Sequence, residues 1–267
     1  MKIKIALLLS AICLLANAQN MNDNTSSETH VPASSNNLSP ADLEARINEI
    51  NPYTLFRKGS IAEYKFQQDG KDFAYYGGPT YIQMIVADTK IENGQLVAYV
   101  QQRYFNKKHN PSKGIPQKAL DYLFPTEIDA NGNFHYTHDV AKDFFFIKSR
   151  KGYALLMPST FEVGQSIPSS SIIDEVGGGL GMKSTMKKNY SNFVVEKMEQ
   201  AITPAGTFDC VKITGDLNTD ASMYGGNEHY DMWITRGIGV VRLDITPITK
   251  KGKGKMYTMY LNHIELK

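Results

Sequence analysis

Residues 191–215 read SNFVVEKMEQAITPAGTFDCVKITG. Two strand-like runs, Ser191 to Ala201 and Thr207 to Gly215, flank Pro204-Ala205-Gly206. Proline pre-sets φ for the turn and glycine takes the left-handed position, which predicts a bulged β-hairpin. The same rhythm extends in both directions. Tyr81 to Thr89 and Leu96 to Phe105 flank Glu92-Asn93-Gly94-Gln95. Asn-Gly is the preferred type I′ turn, because both central residues tolerate positive φ. Asp129-Ala130-Asn131-Gly132-Asn133 marks another turn, with a strand from Phe134. Phe144 to Lys148 and Tyr153 to Met157 flank Arg150-Lys151-Gly152, read as a third hairpin. Ile238 to Thr246 and Lys255 to Leu266 make the last pair, around the turn at Lys250 to Gly254. Residues 106–126 fit either a loop or a short helix around Ala119 to Phe124.

Consecutive hairpins with short turns make neighbouring strands antiparallel. No alternation of strand and helix suggests parallel crossovers. The fold class is therefore mainly β: an antiparallel meander of hairpins forming a strongly curved sheet or open barrel. One short helix precedes it. Ser39 caps, Pro40 fits the first turn and Asp42 sits at the electropositive end. Leu43, Ile47 and Ile50 share a face, and Asn51-Pro52 ends the helix.

The N-terminus carries a different signal. Lys2 and Lys4, the apolar run Ile5 to Leu15 and the small residues Ala16-Asn17-Ala18 read as a secretory signal peptide, residues 1–18. The run is shorter than the ~20 residues needed to span a bilayer. Cys13 raises the alternative of a lipidated N-terminus, which Ile12 opposes because the lipidating machinery prefers a small residue there. Residues 19–38 are rich in Asn, Ser and Thr, too poor in apolar groups to offset chain entropy, and read as a disordered leader. Residues 39–267 then form a single β-rich domain with its N-terminal helix.

Cleavage after Ala18 leaves 249 of the 267 residues, with 27 basic and 27 acidic side chains. The excess of +2 belongs to Lys2 and Lys4, so the electrostatic footprint of a nucleic-acid-binding protein is missing. Only Cys210 remains, which excludes a disulfide-stapled scaffold and leaves the hydrophobic core to hold the fold.

Thr203-Pro204-Ala205-Gly206-Thr207-Phe208-Asp209-Cys210 precedes Val211-Lys212-Ile213, and Trp233 leads into Gly237-Ile238-Gly239-Val240-Val241-Arg242. This pattern resembles the TapB-like group of secreted bacterial β proteins of unknown function, chiefly over residues 190–267. The resemblance implies an exported β-rich domain from a Bacteroidetes-like bacterium and no established chemistry.

No chemical motif is complete. Gly177-Gly178-Gly179-Leu180-Gly181-Met182-Lys183-Ser184 is glycine-rich, but Met182 stands where a phosphate-binding loop needs glycine before its lysine. His135 and His138, three apart on a strand, face opposite sides and cannot share a metal. Asp216, Asn218 and Asp220, with Ser222 and Glu228 beyond, alternate like calcium ligands, yet Ala221 and Asn227 occupy the positions that want glycine and a bidentate acid. Asp129, Asn131 and Asn133 suit a hairpin turn better. Cys210 lies mid-strand, where a lone cysteine behaves as a small hydrophobe. Trp233 reads as core in preference to a ligand platform. Lys250, Lys251, Lys253 and Lys255 make a basic hairpin tip, either simply solvated or suited to anionic lipid or polysaccharide.

The sequence thus names no catalytic, cofactor-binding or metal residues and implies no cofactor. It points to an exported, periplasmic or extracellular, non-enzymatic binding or structural module of the cell envelope, with an envelope protein, glycan or lipid as its partner. The alternative is a secreted hydrolase whose site converges only in three dimensions.

Overall fold

A computed structural model describes residues 39–73, 79–113, 120–121, 123–136, 147–152, 155–177, 183–221 and 225–267. Residues 1–18, read as a signal peptide, residues 19–38, read as a leader, the glycine run at 178–182, His138 and Ser222 lie outside the described residues.

Helix α1 spans Pro40–Ile50 as the capping residues require: the Ser39 side chain accepts from the Asp42 amide, and Asn51 ends it in the left-handed region. The strands follow as β1 (Ile61–Gln68), β2 (Lys71–Asp72), β3 (Tyr81–Glu92), β4 (Gln95–Phe105), β5 (Leu123–Ile128), β6 (Phe134–Tyr136), β7 (Ile147–Gly152) and β8 (Leu155–Met157). Then come β9 (Ser170–Gly177), β10 (Lys183–Thr203), β11 (Gly206–Ala221), β12 (Gly226–Thr235), β13 (Gly239–Thr249), β14 (Gly252–Lys253) and β15 (Tyr257–Glu265). Among the described residues no helix is long and apolar enough to cross a membrane.

All strands join one antiparallel, strongly curved sheet, in the order β7-β9-β10-β11-β12-β13-β15-β1-β3-β4-β5-β6-β8. The predicted hairpins β3–β4, β5–β6, β10–β11 and the β13–β15 pair are present. Asn93 and Gly94 have φ of 50° and 78°, as the type I′ turn demands. The β10–β11 turn is tighter than expected, with Thr203 paired to Gly206, and the register irregularities fall further along β10, near Asn192 and Glu196. In the 106–126 segment Leu120 and Asp121 are helical, whereas Leu123 and Phe124 already belong to β5.

One expectation is overturned. Arg150-Lys151-Gly152 is not a hairpin turn but the end of β7, which pairs with β9, while β8 pairs with β6. Gly152 has φ 82°, and a Cβ there would fall 2.1 Å from the Ser171 carbonyl oxygen, so backbone and neighbour both call for glycine. The two flanking strands are the opposite edges of the sheet. Gly152 and Leu155 are three residues apart, so the chain holds those edges within about 11 Å at one point. The sheet is not closed by hydrogen bonds; a covalent step crosses its seam.

The inner face alternates with the outer as a curved sheet must. On β12, Glu228, Tyr230, Met232 and Ile234 are buried, while their sequence neighbours are partly exposed. Tyr64, Tyr190, Tyr230, Phe56, Phe124 and Phe193 are the largest aromatic fillers. Gly215 makes room for Phe193, whose ring lies 2.4 Å from where a Cβ would stand. The end of the sheet that carries the β3–β4, β5–β6 and β12–β13 turns is plugged by α1 and the segment after it. Ile47 and Ile50 are buried there, Arg46 donates to the Ala130 carbonyl (3.0 Å), and Gly239 approaches Thr54 closely. Arg236 stacks on Tyr53 (4.3 Å) and donates to the carbonyls of Asn51 and Ser159. We call this the turn end, and the opposite one the loop end.

Candidate functional site

Toward the loop end the inner wall changes character. Asp174 on β9, Lys188 on β10, Thr219 on β11 and Glu228 on β12 are all buried, at 0, 2, 6 and 1% exposure. Register puts them in one slanted row. Lys188 pairs with Ile172, two residues from Asp174, and on its other side with Thr219; Glu228 pairs with Leu217, two residues from Thr219. Neighbours offset by two share a face and lie within reach of long side chains. Tyr230 donates to Glu228 (3.1 Å), and Phe193 lies between Tyr190 and Tyr230, with ring centroids 6.3 and 6.4 Å away. Burial, and next the charge of Glu228, push the Tyr257 hydroxyl above its ordinary pKa.

Burying such charges costs several kcal/mol each before pairing, and an apolar replacement is often more stable. Three such residues on one inner wall mark a candidate functional site. Asp174, Lys188 and Glu228 each already hold an interaction within the fold. The row left a faint trace in the sequence: Lys188 and Glu228 stand two residues before Tyr190 and Tyr230, in phase with the buried aromatics.

Asp216, Asn218 and Asp220 do not form a calcium loop. They lie along β11 on its outer side, and alternate residues of an extended strand are about 7 Å apart. Asn218 accepts from Asn189 (3.5 Å) and donates to Asn227 (2.6 Å) in a cross-strand ladder. Asp216 instead completes an arrangement that sequence reading missed. The Thr214 hydroxyl is 3.0 Å from His229 Nε2, His229 Nδ1 is 2.9 Å from Asp216 Oδ1, and Asn192 donates to Asp216 Oδ2 at 2.9 Å. Asn192 reaches it from the β10 irregularity, at φ 59°. Burial would raise the Asp216 carboxyl, but the hydrogen bonds from Asn192 and His229 outweigh it and hold the pKa low. Hydroxyl, imidazole and carboxylate stand in the order of a nucleophile, base and orienting group. Oxyanion donors are another matter, since β11 is laddered on both sides here.

Cys210 is buried, its thiol 3.3 Å from the Phe208 carbonyl, and burial pushes its pKa up to about 11. Trp233 is half-buried on the outer face, its indole donating to Glu199 (2.8 Å) between the cations of Lys212 and Arg242. Asp129 Oδ1 accepts from the amides of Asn131 and Asn133, so that cluster builds its hairpin turn. His135 belongs to β6. Beyond the turn end, β10 and β11 project as a ribbon with Met198 and Ile202 exposed; Met198, Tyr53, Cys210 and Arg236 line a groove of about 520 Å³. Among the described residues no three His, Cys, Asp or Glu side chains are placed to hold a metal ion.

The DUF3108-like family model matches residues 148–258. That span holds the inner row, the Thr214–His229–Asp216 arrangement and the residues carrying the TapB-like resemblance. No curated protein matches the sequence. Two solved structures share the fold. A candidate exported protein with a YmcC-like fold from Bacteroides fragilis NCTC 9343 superposes with a TM-score of 0.59 at 13% identity, over 80% of this chain and 98% of that one. A candidate lipoprotein from Parabacteroides distasonis ATCC 8503 gives 0.57 at 13% identity, with the same coverage.

Proposed function

We propose that this chain is an exported, non-enzymatic binding module of a bacterial envelope, and that its ligand, a hydroxyl-rich glycan segment, meets the buried row Asp174, Lys188, Thr219 and Glu228. The row carries the reading, because its charges are buried at a cost that packing alone does not require. Two carboxylates against one lysine disfavour an anionic ligand, while tyrosine faces and carboxylates suit sugar rings and hydroxyls. Export rests on residues 1–18, with a mature chain beginning at Gln19 and one domain over 39–267; the exported and lipoprotein labels of the two fold neighbours agree with it. TapB-like kinship is part of the same proposal.

The test is titration of the mature chain with envelope glycan fragments, followed by heat or intrinsic fluorescence. Saturable binding should weaken more than tenfold in Glu228→Gln. Replacing Asp174, Lys188 and Glu228 together by apolar residues should abolish binding while leaving stability unchanged or raising it by about 1–4 kcal/mol. Unchanged binding in that triple variant would make the row purely structural and sink the proposal.

A second reading, a secreted hydrolase, draws support from Thr214, His229 and Asp216. Here His229 would take the Thr214 proton as the hydroxyl oxygen bonds to an ester or amide carbonyl carbon, then return it to the alcohol or amine that leaves as the C–O or C–N bond breaks, and water would hydrolyse the acyl-enzyme. Turnover of ester or peptide substrates that vanishes in Thr214→Val and His229→Ala would establish it over the module.

A further inference from the structure

The loop end also bears a charge pattern on its outside. Three stretches meet there: residues 69–72 around the β1–β2 turn, 106–113 after β4, and 249–256 between β13 and β15. They carry eight exposed lysines, Lys71, Lys107, Lys108, Lys113, Lys250, Lys251, Lys253 and Lys255, against two aspartates. Contacts weld them into one rim. Asp69 pairs with Lys255 (3.4 Å) and exchanges backbone and side-chain hydrogen bonds with Met256, while Asp72 joins Lys65 (2.8 Å) to Lys107 (4.0 Å). Both aspartates are thus used up, and Lys71, Lys108, Lys113, Lys250, Lys251 and Lys253 make no ion pair among the described residues. The strands beneath run β13-β15-β1-β3-β4, so the rim spans about 20 Å. Ile248, 40% exposed, stands beside it. Eight of the 21 lysines beyond residue 18 thus stand on this one rim.

We infer that this rim docks the protein, loop end first, onto an anionic phospholipid surface. All eight cations are lysines, compact and strongly hydrated charges on flexible stems. They suit a diffuse field of headgroups better than the fixed forks that bidentate recognition uses. They line the end of the sheet, along the strand axes, so a plane can meet many at once. Each contributes roughly fivefold to partitioning onto an anionic membrane. The inference is independent of the inner row.

The mature chain should co-sediment with vesicles of phosphatidylcholine containing about one third phosphatidylglycerol at low salt, and lose that binding near ~0.5 M salt as screening shortens below 10 Å. Pure phosphatidylcholine vesicles should bind little. The triple variant Lys250→Glu, Lys251→Glu, Lys253→Glu lies on an exposed turn, and should fold normally yet bind more than tenfold more weakly. Lys58→Glu, at the turn end, should bind as wild type. Equal binding to neutral and anionic vesicles, or wild-type binding by the triple variant, would overturn the inference. So would binding to heparin with no binding to anionic vesicles, which would assign the rim to a soluble polyanion. Loss of glycan binding in the inner-row variants leaves these outcomes unaffected, so the two proposals fail separately.

Discussion

The two ends of the sheet are built on opposite principles. At the turn end, tight hairpins, α1 and the Tyr53–Arg236 stack seal an apolar interior. At the loop end, charged residues line the inner wall and lysines crowd the rim. A curved sheet can be held by one end, and here α1 and the segment after it close the turn end. That frees the loop end to keep groups that stability alone would discard.

If that division is real, the costliest single change lies at the turn end. Phe56 is 2% exposed there, with its carbonyl held by the Thr89 hydroxyl and the Arg57 guanidinium over its ring. Phe56→Ala should lower unfolding free energy by about 3–5 kcal/mol in denaturant titrations. A loss under about 1 kcal/mol would mean the plug contributes little and the comparison is wrong.

Gly206→Val comes next. Gly206 has φ 138°, and a Cβ would meet only the Phe208 ring, at 3.8 Å. Space is available, so the cost is backbone strain, about 1–3 kcal/mol by thermal or chemical melts. The ribbon it caps projects beyond the sheet. A stability change confined to this tip, with hydrogen exchange in β12 and β13 untouched, would show that the ribbon opens independently of the plug.

The turn end was also the legible end. Asn93-Gly94, Asp129 to Asn133 and Ser39-Pro40 act locally: a side chain bonds its own backbone, or a residue tolerates a φ its neighbours do not. Such signals survive in a bare sequence. Arg150-Lys151-Gly152 misled because Gly152 has the positive φ of a turn glycine, yet it ends β7 against Ser171 and Ile172 of β9 and does not fold β7 onto β8. The inner row was hidden for another reason. Lys188 and Glu228 look like solvent-facing residues until β9, β10, β11 and β12 are set side by side, and Thr214 gains its meaning only when His229 arrives from the next strand. Pairings across strands are written in register, which short-range patterns record poorly.

Acid should blur the contrast between the ends. Hydrogen bonds from Lys58 to Asp88 and from Lys90 to Glu92 at the turn end, and from Lys65 to Asp72 at the loop end, hold those carboxyls below their ordinary pKa. Asp216 is held low between them. A carboxyl depressed in the folded state contributes stability that is present above the unfolded value, ~4, and is lost as pH falls through the folded one. Melting temperature should therefore be flat from about pH 7 to 5 and fall below ~4. Asp216→Asn should make that fall shallower. Stability rising on acidification through this window would contradict the assigned hydrogen bonds.

The smallest effect belongs to Cys210→Ser. Cys210 lies on the outer side of β11, in phase with Lys212 and Thr214, yet is buried near the base of the ribbon. Its thiol already faces the Phe208 carbonyl at 3.3 Å, so a serine hydroxyl would find an acceptor in place, and the melt should move by less than about 1 kcal/mol. That is the reverse of the order that a catalytic thiol and a dispensable turn would give. The same burial makes a chemical prediction: with its pKa pushed up to about 11, the thiol is almost wholly protonated near neutral pH and shielded from reagents. Native protein at pH 8 should resist iodoacetamide, and denatured protein should react fully. Rapid native labelling at a rate matching ribbon opening would show that the tip frays and exposes the thiol. Rapid labelling without such opening would place Cys210 in an activated, accessible setting, and the turn end would then hold a reactive group that its sealed packing does not account for.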